Sequence, residues 1–286
     1  MDFLQKKIIY QSWQHYGLPL TTKSETMKTY FFIIQIIKIV LPIIIGLWLN
    51  VAQAFKITPM VIETNATRGM ASAMITVTHT GNETTYLRIS SEPFTFNADN
   101  LELLKTSSQD LSHYLVFAPR KLTMKPGQSR RIRLNVRFLP STKPGEYRSV
   151  IFTEPTKQSG ERQMGVVPRI GVAMYVRKGD IKAQLSVLNA TYKDKHIVLR
   201  AKNTGKATVR PRVHWILSKS GQKIATGRNG GKLTVIAEGE RNLRIDDNKF
   251  PEIKSLKSGT YQISGELAWG AREENSLSFQ QAFVVP

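Results

Sequence analysis

The sequence predicts an all-β protein made of two β-sandwich domains behind an N-terminal segment for export. Three observations carry this expectation. Downstream of Phe55 no long stretch keeps the 3.6-residue period of an amphipathic helix. Short β-rich runs recur instead, separated by turn residues. The chain has 286 residues, which leaves room for two ordinary domains once an N-terminal segment is set aside.

That first segment, residues 1–54, has the order of a secretory signal. Lys28 and Lys38 precede a run from Ile39 to Leu49 that is apolar apart from Pro42 and Gly46. Ala52-Gln53-Ala54 then places small residues where a signal peptidase reads. Cleavage after Ala54 would leave Phe55 as the mature N-terminus. Residues 1–26 do not look like the start of a signal, and Met27 is the better initiator. The alternative is an uncleaved inner-membrane anchor. Residues 31–49 are long enough to span a bilayer, at the cost of Lys38 in mid-span.

The first domain is expected over residues 55–178. Residues 71–80 alternate and end at Gly81-Asn82, and 84–90 follow as a second strand. Residues 129–138 alternate most clearly. Ile132, Leu134, Val136 and Phe138 share one face, with Arg131, Arg133, Asn135 and Arg137 on the other. Residues 97–108 are the one place where a helical turn fits, inside a connection between strands. The second domain is expected over 179–286. Its strands read 196–205, 208–221, 232–236, 241–245, 260–269 and 277–285, with Leu199, Trp215 and Ile263 as core residues. The joint lies near Arg177-Lys178-Gly179-Asp180.

The two halves echo each other. Gly127 precedes an alternating strand and then Gly145-Glu146-Tyr147; Gly239 precedes a strand and then Gly259-Thr260-Tyr261. A Gly-x-Tyr opening a late strand suits the tyrosine corner, whose phenol bonds back to nearby backbone. The expected fold class is therefore all-β, two immunoglobulin-like β-sandwich domains after an N-terminal signal peptide.

Composition narrows the chemistry. The absence of cysteine excludes disulfides, thiol catalysis and cysteine-based zinc sites. None of HExxH, GxSxG or a phosphate-cradling GKS/GKT loop occurs. His15, His79, His113, His196 and His214 have no metal-ligand spacing and read as loop or surface residues. Asp246-Asp247 falls in a turn. No enzyme activity and no cofactor are expected. The net charge is +20, spread over both domains: 18 basic against 9 acidic residues in 55–178, and 18 against 10 in 179–286. This is a solvated basic surface, or one with affinity for an anionic envelope component. The outward Arg131, Arg133 and Arg137 lack the interleaved aromatics of a nucleic-acid platform, so no nucleic acid is expected.

Residues 114–138, 145–155 and 168–177 resemble the N-terminal domain of PapD-like periplasmic pilus (fimbrial) chaperones. The resemblance rests on a Pro-containing turn, a hydrophobic-x-Pro-Gly corner before an Arg-Leu strand, a later strand closing in Pro, and PRIGVAMYVR at the end. It covers roughly 55–178; the second domain fits by fold class and position. It implies a periplasmic protein whose partners are pilin-like or other secreted subunits, and it admits an outer-membrane usher. Stable membrane insertion after signal cleavage is not implied. The family donates the last strand of its first domain to an unfinished subunit, a form of β-strand addition. Carried over, the client-binding residues are Met164, Val166, Ile170, Val172 and Met174 along that strand. The family also anchors the subunit's terminal carboxylate with two basic residues. Their positions fall near Pro59-Met60 and at Gly171, neither basic here; Arg169 and Lys56 are the substitutes. The alternative is a structural envelope or adhesion module with this fold and no donor-strand activity.

Overall fold

The computed structural model describes residues 55–156, 169–229, 233–245 and 250–286. The signal region, Met164, Val166 and Asp246-Asp247 lie outside the described residues. All described residues belong to one compact unit.

Two sandwiches make up that unit. In the first, one sheet has the order β1 (Phe55–Thr58), β3 (Met70–His79), β9 (Ser129–Arg137) and β7 (Leu115–Ala118). The facing sheet runs β2 (Val61–Asn65), β11 (Ile170–Lys178), β10 (Gly145–Thr156), β4 (Thr85–Glu92) and β8 (Lys121–Met124). Strand β9 shows why the sequence folds this way. Ile132, Leu134 and Val136 are buried between the sheets while Arg131, Arg133 and Arg137 face outward. The turn before it closes with Gln128 N–H donating to the Lys125 carbonyl at 3.1 Å, around Gly127 at φ +71.

Strand β10 is buried on both faces. Tyr147 and Ile151 join the main core. Val150 and Phe152 pack on the other side with Phe94 and Tyr175. Phe94 comes from a small hairpin, β5 (Phe94–Phe96) with β6 (Leu101–Leu103). This hairpin replaces the helical turn expected at 97–108. Asn97 fixes its turn by accepting the N–H groups of Asp99 and Asn100 through its side chain, which favours a turn over a helix.

The second sandwich pairs a sheet of β12 (Leu185–Lys193), β13 (His196–Asn203) and β16 (Gly239–Arg244) with a sheet of β15 (Gln222–Asn229), β14 (Arg212–Lys219), β17 (Gly259–Trp269) and β18 (Asn275–Val285). Leu199, Trp215 and Ile263 are buried in its core. Both tyrosine corners are present. Tyr147 donates to the Lys143 carbonyl at 3.0 Å and Tyr261 to the Lys257 carbonyl at 2.8 Å, four residues back in each case.

Two further expectations need correction, and two strands went unread. Of residues 232–236, the described 233–236 form no strand; Val235 exchanges one pair of main-chain hydrogen bonds with Val209, at 2.9 and 3.1 Å. His79 is not a surface residue. It is 2% exposed, lies edge-on to Phe55, accepts the Gly81 N–H at Nδ1 and reaches Thr85 through Nε2. Strands β12 and β15 escaped the sequence reading. β15 carries a largely exposed, polar run with no apolar period to detect.

Candidate functional site

The first strand of the fold changes sheets. Residues Phe55–Thr58 pair antiparallel with β3 in one sheet. After Pro59-Met60 the chain joins the other sheet, where Val61–Asn65 pair parallel with Ala173–Arg177 of β11. The cover that β2 gives to β11 therefore starts at Ala173, whose N–H donates to the Met60 carbonyl at 3.1 Å. Residues Ile170–Val172 extend beyond it and, among the described residues, pair only with β10, through Thr153, Phe152 and Ile151. Backbone groups alternate in direction along a strand. Since Ala173 and Arg177 bond toward β2, Gly171 shares their direction. Its N–H and C=O thus point away from β10, past the start of β2. This short open edge is the candidate site.

The expected site residues divide around it. Ile170 is half-buried and packs against the main core. Val172 and Met174 are fully buried in that core. Their side chains fill the sandwich, so they cannot also contact a client; what β11 presents at its edge is main chain. Lys56 sits on β1 opposite Thr78, exposed on the outer face of the other sheet, and does not reach the edge of β11. The strand change at Pro59 separates them.

Arg169 flanks the open edge, but its guanidinium is already engaged. It pairs with Glu92 and, through Nε, with Glu154 at 3.2 Å. It also stacks 3.8 Å from the centroid of the Phe152 ring. Arg88 bonds the same Glu154 at 2.5 Å, so two cations and two carboxylates balance on this surface. Gly171 leaves no room for a basic side chain. A Cβ there would stand 2.5 Å from Val150 Cγ1 and 3.0 Å from Phe152 Cε1.

At the other end of β10 and β11 the two sandwiches meet through buried polar groups. The Glu146 side chain is wholly buried. It accepts the Thr208 N–H at 2.8 Å and the Thr208 hydroxyl, and Arg177 Nε lies 3.3 Å away. Arg177 in turn donates to the Thr208 carbonyl at 2.5 Å. Arg148, 5% exposed, stands 3.8 Å from Glu146 and donates to the Phe94 carbonyl at 3.1 Å. Burial lowers the Arg148 pKa, and the Glu146 carboxylate opposes that shift. Burial, and next the nearby Glu146 carboxylate, push the Tyr175 phenol well above its ordinary value. Beside this joint a cleft of about 600 Å³ is lined by Glu63, Arg177, Lys182, Arg210 and Trp269 among others. Arg210 pairs with Glu63 across it. The hairpin β5–β6 reaches the second sandwich too: the Asn242 N–H donates to the Ala98 carbonyl at 2.8 Å, and its side-chain amide to Asp99 at 2.9 Å.

The sequence reading missed Glu146, Thr208 and the glutamates that hold Arg169. For Glu146 a signal existed: Glu146 and Arg148 both fall inside GEYRSVIF, an otherwise apolar run where buried charge must be paired. Glu92 and Glu154 meet Arg169 only through the register of β4, β10 and β11. Among the described residues there is no group of three or more metal-ligating side chains, and no helix long and apolar enough to cross a membrane.

No family model matches the chain, and neither does any curated protein. Solved structures with a similar fold include the class 5 fimbriae chaperone CfaA, 16% identical over 81% of this chain and 99% of that one, with a TM-score of 0.49. The chaperone–tip adhesin complex of CFA/I fimbriae is 15% identical over 79% of this chain and 98% of that one, at 0.48. The Salmonella enterica SafA pilin complex with the SafB chaperone gives 9% identity over 81% and 96%, at 0.42.

Proposed function

We propose that the chain is a periplasmic chaperone-like protein for pilus (fimbrial) or related surface-fibre subunits, exported by cleavage after Ala54, which binds its clients by β-strand addition. The observation that carries this reading is the open edge of β11 at Ile170–Val172, where the sheet change of the first strand leaves Gly171's main-chain groups facing outward. Main-chain hydrogen bonds along that edge would supply affinity, and Met164 and Val166, preceding it in the sequence, would enter a client groove. The activity is binding, with no catalytic step and no cofactor. A second reading, a structural envelope or adhesion module, is favoured by one observation. Arg169 is neutralised by the protein's own Glu92 and Glu154, so the cation beside the open edge is already paired and not free for a client carboxylate.

Two substitutions at one position test the proposal. Arg169→Pro removes the guanidinium together with an N–H that an extended chain would turn the same way as Gly171's; Arg169→Ala removes the guanidinium alone. Pull-down of envelope subunits should weaken for Arg169→Pro and hold for Arg169→Ala, with both variants folded by circular dichroism. Undiminished capture by folded Arg169→Pro would discard strand addition and leave the structural module.

A further inference from the structure

The outer face of the sheet β1-β3-β9-β7 has a one-sided charge. From the registers, its outward residues are Lys56 and Thr58 on β1; Met70, Ser72, Met74, Thr76 and Thr78 on β3; Ser129, Arg131, Arg133, Asn135 and Arg137 on β9; and Val116 and Ala118 on β7. Four are cations and none is an acid. Among the described residues, none of the four cations is in an ion pair. Arg133 lies between Met74 and Ala118 across the sheet, and Arg137 lies opposite Met70. Met70, Met74 and Val116 are 58%, 43% and 63% exposed.

We propose that this face docks on an anionic phospholipid surface. The charge pattern selects the partner class. Outward positions on β9 repeat at roughly 6.8 Å along the strand, and arginine fills three of the four from Arg131 to Arg137, a row of cations matched to many anions in a plane. A phospholipid surface is such an array, and it also accepts apolar side chains at headgroup depth. Met70, Met74 and Val116 stand among the arginines where they can enter that layer. The alkyl stems of Lys56 and the arginines can lie along it while their heads keep the phosphates. A nucleic-acid strand would want stacking aromatics, and the face has none. Such docking would hold the protein at a membrane peripherally, without a spanning segment, and leave the edge of β11 on the opposite sheet free for its client.

The absence of cysteine allows a direct test. Val116→Cys carries an environment-sensitive dye on this face; Ile224→Cys, 40% exposed on β15, carries the same dye on the second sandwich. The protein recovered from the envelope fraction is mixed with vesicles of phosphatidylcholine alone, or of phosphatidylcholine with phosphatidylglycerol. The dye at 116 should shift to the blue on the anionic vesicles only, and the dye at 224 should not move. One molar salt, where the screening length is about 3 Å, should abolish the shift. The triple variant Arg131→Ser, Arg133→Ser, Arg137→Ser should weaken partitioning by on the order of 100-fold, about fivefold per arginine. No shift at 116 on anionic vesicles, an equal shift at 224, or an unchanged triple variant would overturn the proposal. A shift at 116 produced by an acidic protein but not by vesicles would assign the face to a protein instead.

Discussion

Replacing Glu146 by Ala tests whether the two sandwiches are held by one buried carboxylate. The side chain is wholly buried and is bonded by both polar groups of Thr208, with Arg177 and Arg148 beside it. Its loss strands the Thr208 N–H in a dry interface. Arg148, 5% exposed, would keep only the Phe94 carbonyl as a partner. Breaking a buried charge pair from one side costs about 3–5 kcal/mol. The expected loss here is about 3 kcal/mol, at the low end of that range, because the Arg177 side chain is 26% exposed and can be rehydrated. Urea denaturation followed by tryptophan emission reads the effect. Both described tryptophans, Trp215 and Trp269, lie in the second sandwich, while Glu146 lies in the first. A lowered midpoint in the tryptophan signal therefore reports coupling across the joint. A loss below about 1 kcal/mol would place Glu146 with solvated surface pairs and refute the reasoning.

Other substitutions probe the rest of the structure. Leu134→Ala, at a fully buried position facing Ala73 and Phe117 across neighbouring strands, should cost about 2–5 kcal/mol in the same urea assay; a value under 1 would place Leu134 outside the core. Gly171→Ala should cost about 1–3 kcal/mol, because its Cβ meets Val150 at 2.5 Å and neither β10 nor the packed Phe152 can retreat freely. Glu273 gives a pH dependence. Its carboxyl is held below its ordinary pKa of 4.5, first by the hydrogen bond from Arg212, with Arg228 and His214 adding. A depressed folded pKa stabilises above the ordinary value and is lost as pH falls through the folded one. Melting curves should therefore show wild type ahead of Glu273→Gln at pH 6, with the gap closing below pH 4; a gap independent of pH would contradict this.

How much of this was legible beforehand follows from the physics of each element. The β9 strand was readable because one face is buried and the other wet, so a period of two is written into 129–138. The tyrosine corners were readable because they bond four residues back along the chain. The hairpin at 94–103 was not, since Asn97's side-chain capping of its turn competes with a helical turn at the same residues. Strand β15 stayed hidden because an exposed edge strand needs no apolar alternation. At the site, the strand carrying Arg169 was legible, but its state was not. Whether that guanidinium is free depends on Glu92 and Glu154, which are brought to it across two other strands. Burial of Val172 and Met174 likewise depends on which face of β11 meets the core, and alternation alone does not reveal which face that is.

Residue-resolved hydrogen exchange at Gly171 tests the central claim most directly. The Val172 amide bonds to β10, and the Gly171 amide faces the open edge. In the chain alone, Gly171 should exchange far faster than Val172. In complex with an envelope subunit that co-purifies with it, Gly171 should become protected while Val172 stays unchanged. If the bound subunit leaves Gly171 exchanging as fast as before, no strand has been added at this edge, and the proposed mode of binding is wrong.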